Sequence, residues 1–168
     1  MIKNKRGFTF IEIVIALAII SVILIAVTGT MMDSFKAKNR IVYSDTIQQN
    51  GSFVVMELRK HVLNSVPEKI VCSGDSIELI NKKNAETTTL VCVDGASGHI
   101  ASVSATRDVR LTSDDVSLNN CGNFVSCEPV GGPYSKVTFN FTLIPENTDP
   151  GVAEAVQKDF STVVSVRN

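Results

Sequence analysis

Hydrophobic and polar positions divide the chain into three regimes. From Phe8 to Met32 the side chains are apolar almost without break, and Glu12 is the one ionisable group among them. At about 1.5 Å per helical residue the run spans roughly 38 Å, enough to cross a hydrocarbon core of about 30 Å. A membrane-crossing helix is therefore predicted. From Asp33 the pattern turns amphipathic. Ile47, Val54, Leu58, His61 and Val62 recur at helical spacing with Gly51 in the same stripe, while Gln48, Gln49, Glu57, Arg59 and Lys60 fall on other faces. No proline precedes Pro67, so one helix is predicted from residue 8 to about residue 64. Asn64-Ser65-Val66-Pro67 ends it, because the residue before a proline is pushed out of the helical region. Gly29 and Gly51 are its weak points, each costing about 1 kcal/mol relative to alanine.

Beyond Pro67 the period becomes two. Short strands are predicted at Lys69 to Cys72 and Ser76 to Ile80 around Ser73-Gly74-Asp75, then at Thr87 to Val93 after a polar turn. Weaker ones follow at His99 to Val103, Val109 to Thr112 and Val116 to Leu118, the last within a loop from Ser113 to Asn123. Gly131-Gly132-Pro133 marks a turn. Ser135 to Ile144 is the clearest strand: Val137, Phe139, Phe141 and Leu143 alternate with Lys136, Thr138, Asn140 and Thr142, giving one buried and one wet face. Phe160 to Val166 closes the chain, after a loop or helical turn over Val152 to Lys158. The fold class expected is α+β: a long N-terminal helix, transmembrane in its first half, whose amphipathic second half packs on a small antiparallel sheet.

The chain has 168 residues and formal charge −1, room for one globular domain beside the membrane helix. Four cysteines, Cys72, Cys92, Cys121 and Cys127, all lie beyond the membrane segment. An even number in a translocated domain favours disulfides, and four allow three connectivities. Cys121 and Cys127 bracket a short loop and Cys72 and Cys92 flank a hairpin, so spacing favours 72–92 with 121–127. A zinc site would need cysteine pairs of another spacing, and the chain has two histidines.

Glu12 is the anomaly, since a carboxylate in the bilayer costs on the order of 2–3 kcal/mol on insertion scales. Its setting is Lys5-Arg6-Gly7-Phe8-Thr9-Phe10-Ile11-Glu12, preceded by Lys3. This stretch resembles the cleavage and methylation motif of type IV pilins and type II secretion pseudopilins; Phe10 stands where that family more often has leucine. The resemblance covers roughly the first thirty residues. It implies that a prepilin peptidase cuts after Gly7 and methylates the new N-terminal Phe8, and that Glu12 is the assembly glutamate. The segments are then a leader at 1–7, the transmembrane and assembly half of the helix at 8–32, its amphipathic half at 33–65, and an extracytoplasmic β-rich head at 66–168. Loss of the leader leaves 13 basic against 17 acidic side chains, a balance of −4. The expected partners are other pilin subunits, the peptidase and an inner-membrane assembly platform. The location expected is a single pass of the inner membrane, with the head in the periplasm or outside the cell. The distance of Cys121–Cys127 from the C-terminus departs from the major-pilin pattern and points to a minor pilin or pseudopilin.

Two alternatives bear on this reading. A secretory signal peptide would share the positive start and has a small-residue site at Ala26-Val27-Thr28, but leaves Glu12 and the Gly7-Phe8 junction unexplained. A membrane-anchored binding module, such as a DNA-capturing tip protein, would show a basic or aromatic surface cluster, for which Lys82, Lys83, Arg107 and Arg110 are the candidates. No nucleophile, phosphate-loop or metal-helix motif is present, so no enzyme and no cofactor is expected. His61, on the apolar helix face, reads as structural. Asp75, Asp94, Asp114 and Asp115 are not spaced like a calcium loop and read as turn residues.

Overall fold

The computed structural model describes residues 9–95, 97–128, 136–146 and 156–166. One helix, α1, runs over Phe10–Leu63. Its contacts assign it to two units, Met1–Ile41 and Val42–Asn168. In the first unit the helix is the only element described, and every described residue from Thr9 to Ile41 is exposed. The second unit holds the rest of α1 and all the strands.

The end of α1 follows from its last residues. Ser65 is buried and its hydroxyl donates to the Val62 carbonyl at 2.7 Å, while the Val66 N–H turns to the Ile80 carbonyl at 2.8 Å. Pro67 then opens a short 3₁₀ turn, Pro67–Lys69, where its missing N–H is no loss. That turn takes the first residues of the strand expected from Lys69.

Two antiparallel sheets follow, where one was expected. The first is a meander of β1 (Val71–Cys72), β2 (Ser76–Ile80), β3 (Thr87–Val93), β4 (His99–Ser104) and β5 (Asp108–Arg110), in chain order across the sheet. The second is centred on β8 (Lys136–Pro145), which pairs with β6 (Val116–Leu118), β7 (Val125–Glu128) and β9 (Lys158–Ser165). The sequence pattern did not predict β7. The turn at Gly131-Gly132-Pro133 and most of Val152 to Lys158 lie outside the described residues.

The core lies between the helix stripe and the two sheets. Ile47, Gly51, Val54, Leu58 and Val62 are buried, as the helical spacing predicts, together with Ile77, Leu79, Leu90 and Ile100 of the first sheet and Val137, Phe139, Phe141 and Leu143 of the second. Phe141 stacks on Phe160 with ring centroids 5.4 Å apart and planes at 16°. Gly51 lies against that Phe160 ring, and a Cβ there would fall inside it. The glycine is thus a close-approach site for helix and sheet.

The disulfides differ from the pairing that spacing favours. Cys72 on β1 bonds Cys127 on β7, and Cys92 on β3 bonds Cys121 just before β7, with Cα separations of 6.4 and 5.6 Å. Both cross from the first sheet to the second. Two backbone bonds make the same crossing: the Val125 N–H to the Gly74 carbonyl at 2.8 Å and the Leu118 N–H to the Gly98 carbonyl at 3.0 Å. The pairing that spacing favours would close each bond on its own side.

Candidate assembly site at the start of the helix

Thr9 precedes the first helical residue and acts as its N-cap. The first turn of any helix has four N–H groups without intrahelical partners, and this one answers part of that need reciprocally. Glu12 Oε2 accepts the Thr9 backbone N–H and the Thr9 hydroxyl, both at 2.9 Å, while the Glu12 N–H reaches Thr9 Oγ1 at 3.4 Å. Thr9-Phe10-Ile11-Glu12 is therefore a capping box. The carboxylate also sits at the positive end of the helix dipole. Among the described residues nothing bonds Oε1. The glutamate thus has one oxygen committed to its own helix and one free. The reading of the sequence singled out Glu12 but passed over Thr9, although the Thr-x-x-Glu spacing was there to be read. Gly7 and Phe8 lie outside the described residues.

The apolar span beyond is built to be dry. It contains an 18-residue window of mean hydropathy 3.1, and α1 is long and apolar enough to cross a membrane. Its hydroxyls turn back on their own helix: Ser21 donates to the Ala18 carbonyl at 2.7 Å, Thr28 to Leu24 at 3.0 Å, and Thr30 to Val27 at 2.9 Å. Such back-bonding satisfies a hydroxyl that hydrocarbon would leave unpaired. Glu12 is the charge that this arrangement leaves exposed.

The other residues singled out in the sequence are engaged elsewhere. His61 is half-buried beside a groove of about 380 Å³ that Phe53, Glu57, Thr88, Ser102 and Arg107 also line. Burial pushes its pKa below the ordinary histidine value, opposed by nearby Glu57 and reinforced by Lys60. His99 Nδ1 lies 3.2 Å from the Ser97 carbonyl oxygen. Asp114 accepts Arg110 Nη1 at 2.6 Å, and Lys82 Nζ donates to the Leu63 carbonyl at 3.4 Å. Arg110 and Lys82 are thus each tied to their own surroundings. Among the described residues no three histidine, cysteine or acidic side chains gather as metal ligands would.

Residues 2–28 match the family described as the prokaryotic N-terminal methylation motif. The N-terminal segment is type IV pilin-like. The match takes in the basic start, Gly7, Phe8, the capping box and most of the apolar span, and the α+β architecture of a long helix on antiparallel sheets agrees with it. No curated protein and no solved structure matches the chain.

Proposed function

We propose that the chain is a minor pilin or pseudopilin: a structural subunit inserted as a single-pass precursor in the inner membrane, cut after Gly7, methylated on Phe8, and built through α1 into a pilus-like filament or secretion pseudopilus. The observation that carries this reading is Glu12, a carboxylate in an apolar span with one oxygen capping its own helix and the other open. Cleavage after Gly7 creates an amine at Phe8, one helical turn away. An ammonium and a carboxylate left unpaired in a low dielectric each carry a penalty of several kcal/mol, and pairing them removes much of it. In this reading the free oxygen of Glu12 receives the amine of an adjoining subunit, and the apolar flanks of the helices pack around the pair. The head stays on the oxidising side, where its disulfides form.

Mass spectrometry of the mature N-terminus tests this. The expected product begins at N-methylated Phe8. A chain that begins at Gly29, or still at Met1 when the peptidase is present, overturns it.

A further inference from the structure

The two disulfides are nested: Cys72–Cys127 encloses Cys92–Cys121, with sequence separations of 55 and 29. The consecutive pairing would close loops of only 20 residues (Cys72 to Cys92) and 6 residues (Cys121 to Cys127). Closure probability falls roughly as the three-halves power of loop length. Allowing for the inner native loop's shortening of the outer one, an unstructured chain meets the consecutive pairing roughly fifteen-fold more often than the native one. In the orientation proposed above, order of appearance acts in the same direction, because Cys72 and Cys92 then enter the oxidising compartment before either of their native partners.

The folded head does not accommodate that pairing. Cys72 lies on β1 and Cys92 on β3, with β2 between them. Two interstrand spacings of about 4.8 Å separate their backbones by more than the roughly 7 Å that a disulfide bridges. Cys121 and Cys127 flank Phe124, which is fully buried, and each faces a partner on the first sheet. The pairing that forms most readily is thus incompatible with the sheet that must form.

We propose that the head matures through a consecutive Cys72–Cys92, Cys121–Cys127 isomer, and that an external thiol, of the class a disulfide isomerase supplies, resolves it. The chemistry closes on itself. Oxidation of the four thiols first reduces two equivalents of a disulfide oxidant to dithiol. An external thiolate then attacks Cys72 Sγ, forms a mixed disulfide there and releases the Cys92 thiolate. Cys92 attacks Cys121 Sγ, forming the native Cys92–Cys121 bond and releasing the Cys127 thiolate. Cys127 attacks Cys72 Sγ, forming the native Cys72–Cys127 bond and expelling the external thiolate unchanged. Three exchanges, each a thiolate displacing a thiolate, convert one isomer to the other with no net oxidation. The fully oxidised consecutive isomer holds no thiol of its own, so it cannot start the sequence alone.

The test uses the full chain in detergent, reduced and unfolded, then diluted into folding buffer with excess diamide; the diamide is removed by desalting before reduced glutathione is added to one half of the sample. Acid quenching, alkylation and peptide mapping by mass spectrometry read the pairs. Without glutathione the consecutive isomer is expected to exceed the native one about ten-fold or more, consistent with loop-closure scaling, and to persist. Glutathione should then convert it to Cys72–Cys127 and Cys92–Cys121. Native pairing as the main product before glutathione is added overturns the proposal, as does a consecutive isomer that glutathione leaves in place. The Cys72→Ser/Cys127→Ser variant has one bond to make and should form it equally in both arms. If it too waits for glutathione, the delay is not isomerisation and the proposal fails.

Discussion

At Glu12 a single carboxylate is shared between the helix it caps and the outside, and substitutions separate the two uses. Glutamine serves a capping box as well as glutamate does, so Glu12→Gln keeps the helix start and loses the charge. We predict that Glu12→Gln and Glu12→Ala are both cleaved normally, and that both fail to enter filaments, read as the subunit fraction in sheared or pelleted filaments. Incorporation of the glutamine variant at the wild-type level would assign Glu12 to capping alone. Thr9→Ala should cost the helix start about 1 kcal/mol, seen as faster amide exchange over the first turn. A second residue reports on pH. Burial holds the His61 pKa below its unfolded value, so the unfolded chain binds the extra proton first. The stability contributed by neutral His61 is complete above its unfolded value of about 6.5 and is lost as pH falls through the lower folded value. His61→Gln should flatten that acid-side loss in thermal melts. Glu57, Lys60, Glu86 and Arg107, which face the same region, are unaltered in that variant.

At the scale of elements, what was legible depended on how many residues shared one pattern. The stripe Ile47, Gly51, Val54, Leu58 and Val62 repeats through four turns, and the alternation from Val137 to Leu143 through four pairs; both faces are buried as their periods require. β7 has four residues, Val-Ser-Cys-Glu, and β1 has two. Strands this short carry no period of their own, and their place is set by the partner: β8 holds β7 by pairs from Val125↔Phe139 to Glu128↔Lys136. Gly51 was recognisable as a break in the stripe, but its reason is the Phe160 ring, 109 residues further on. Gly51→Ala gains helix propensity yet drives a methyl into that ring. The overpacking term of about 1–3 kcal/mol is expected to win, lowering the melting temperature of the head. Phe160→Leu on the alanine background should recover part of the loss if the clash is the cause.

At the scale of the whole chain, the N-terminal methylation motif was readable because it is local: a basic start, Gly7, Phe8 and a carboxylate at a fixed offset, within residues 2–28. The disulfide connectivity was not, because it depends on how two sheets face each other, and loop length alone points the other way. Each crosslink ties β7 or its entry to the first sheet, so losing one should loosen the second sheet as a unit. Cys92→Ala/Cys121→Ala is predicted to destabilise the head by about 2–4 kcal/mol, with the loss read by chemical denaturation of the oxidised protein.

The same crosslinks fix how the head responds to a pull. A load applied through α1 meets packing along Ile47, Val54, Leu58 and Val62 and a few hydrogen bonds, among them the Ser113 N–H to Asn50 Oδ1 at 3.0 Å and Lys82 Nζ to the Leu63 carbonyl at 3.4 Å, and no disulfide joins the helix to either sheet. Peeling therefore proceeds toward Pro67 and stops at Cys72, where the Cys127 bond ties the strand to the far sheet. From Val42 that is a tether of about 30 residues, up to roughly 100 Å when drawn out, beyond which the stretch from Cys72 to Cys127 stays closed until the disulfide is reduced, while β8 and β9 lie outside that loop. On its N-terminal side the head is a shock absorber with a fixed stroke. Single-molecule force spectroscopy should show, after reduction, the release of the 55-residue stretch closed by Cys72–Cys127, an extension that oxidised protein lacks.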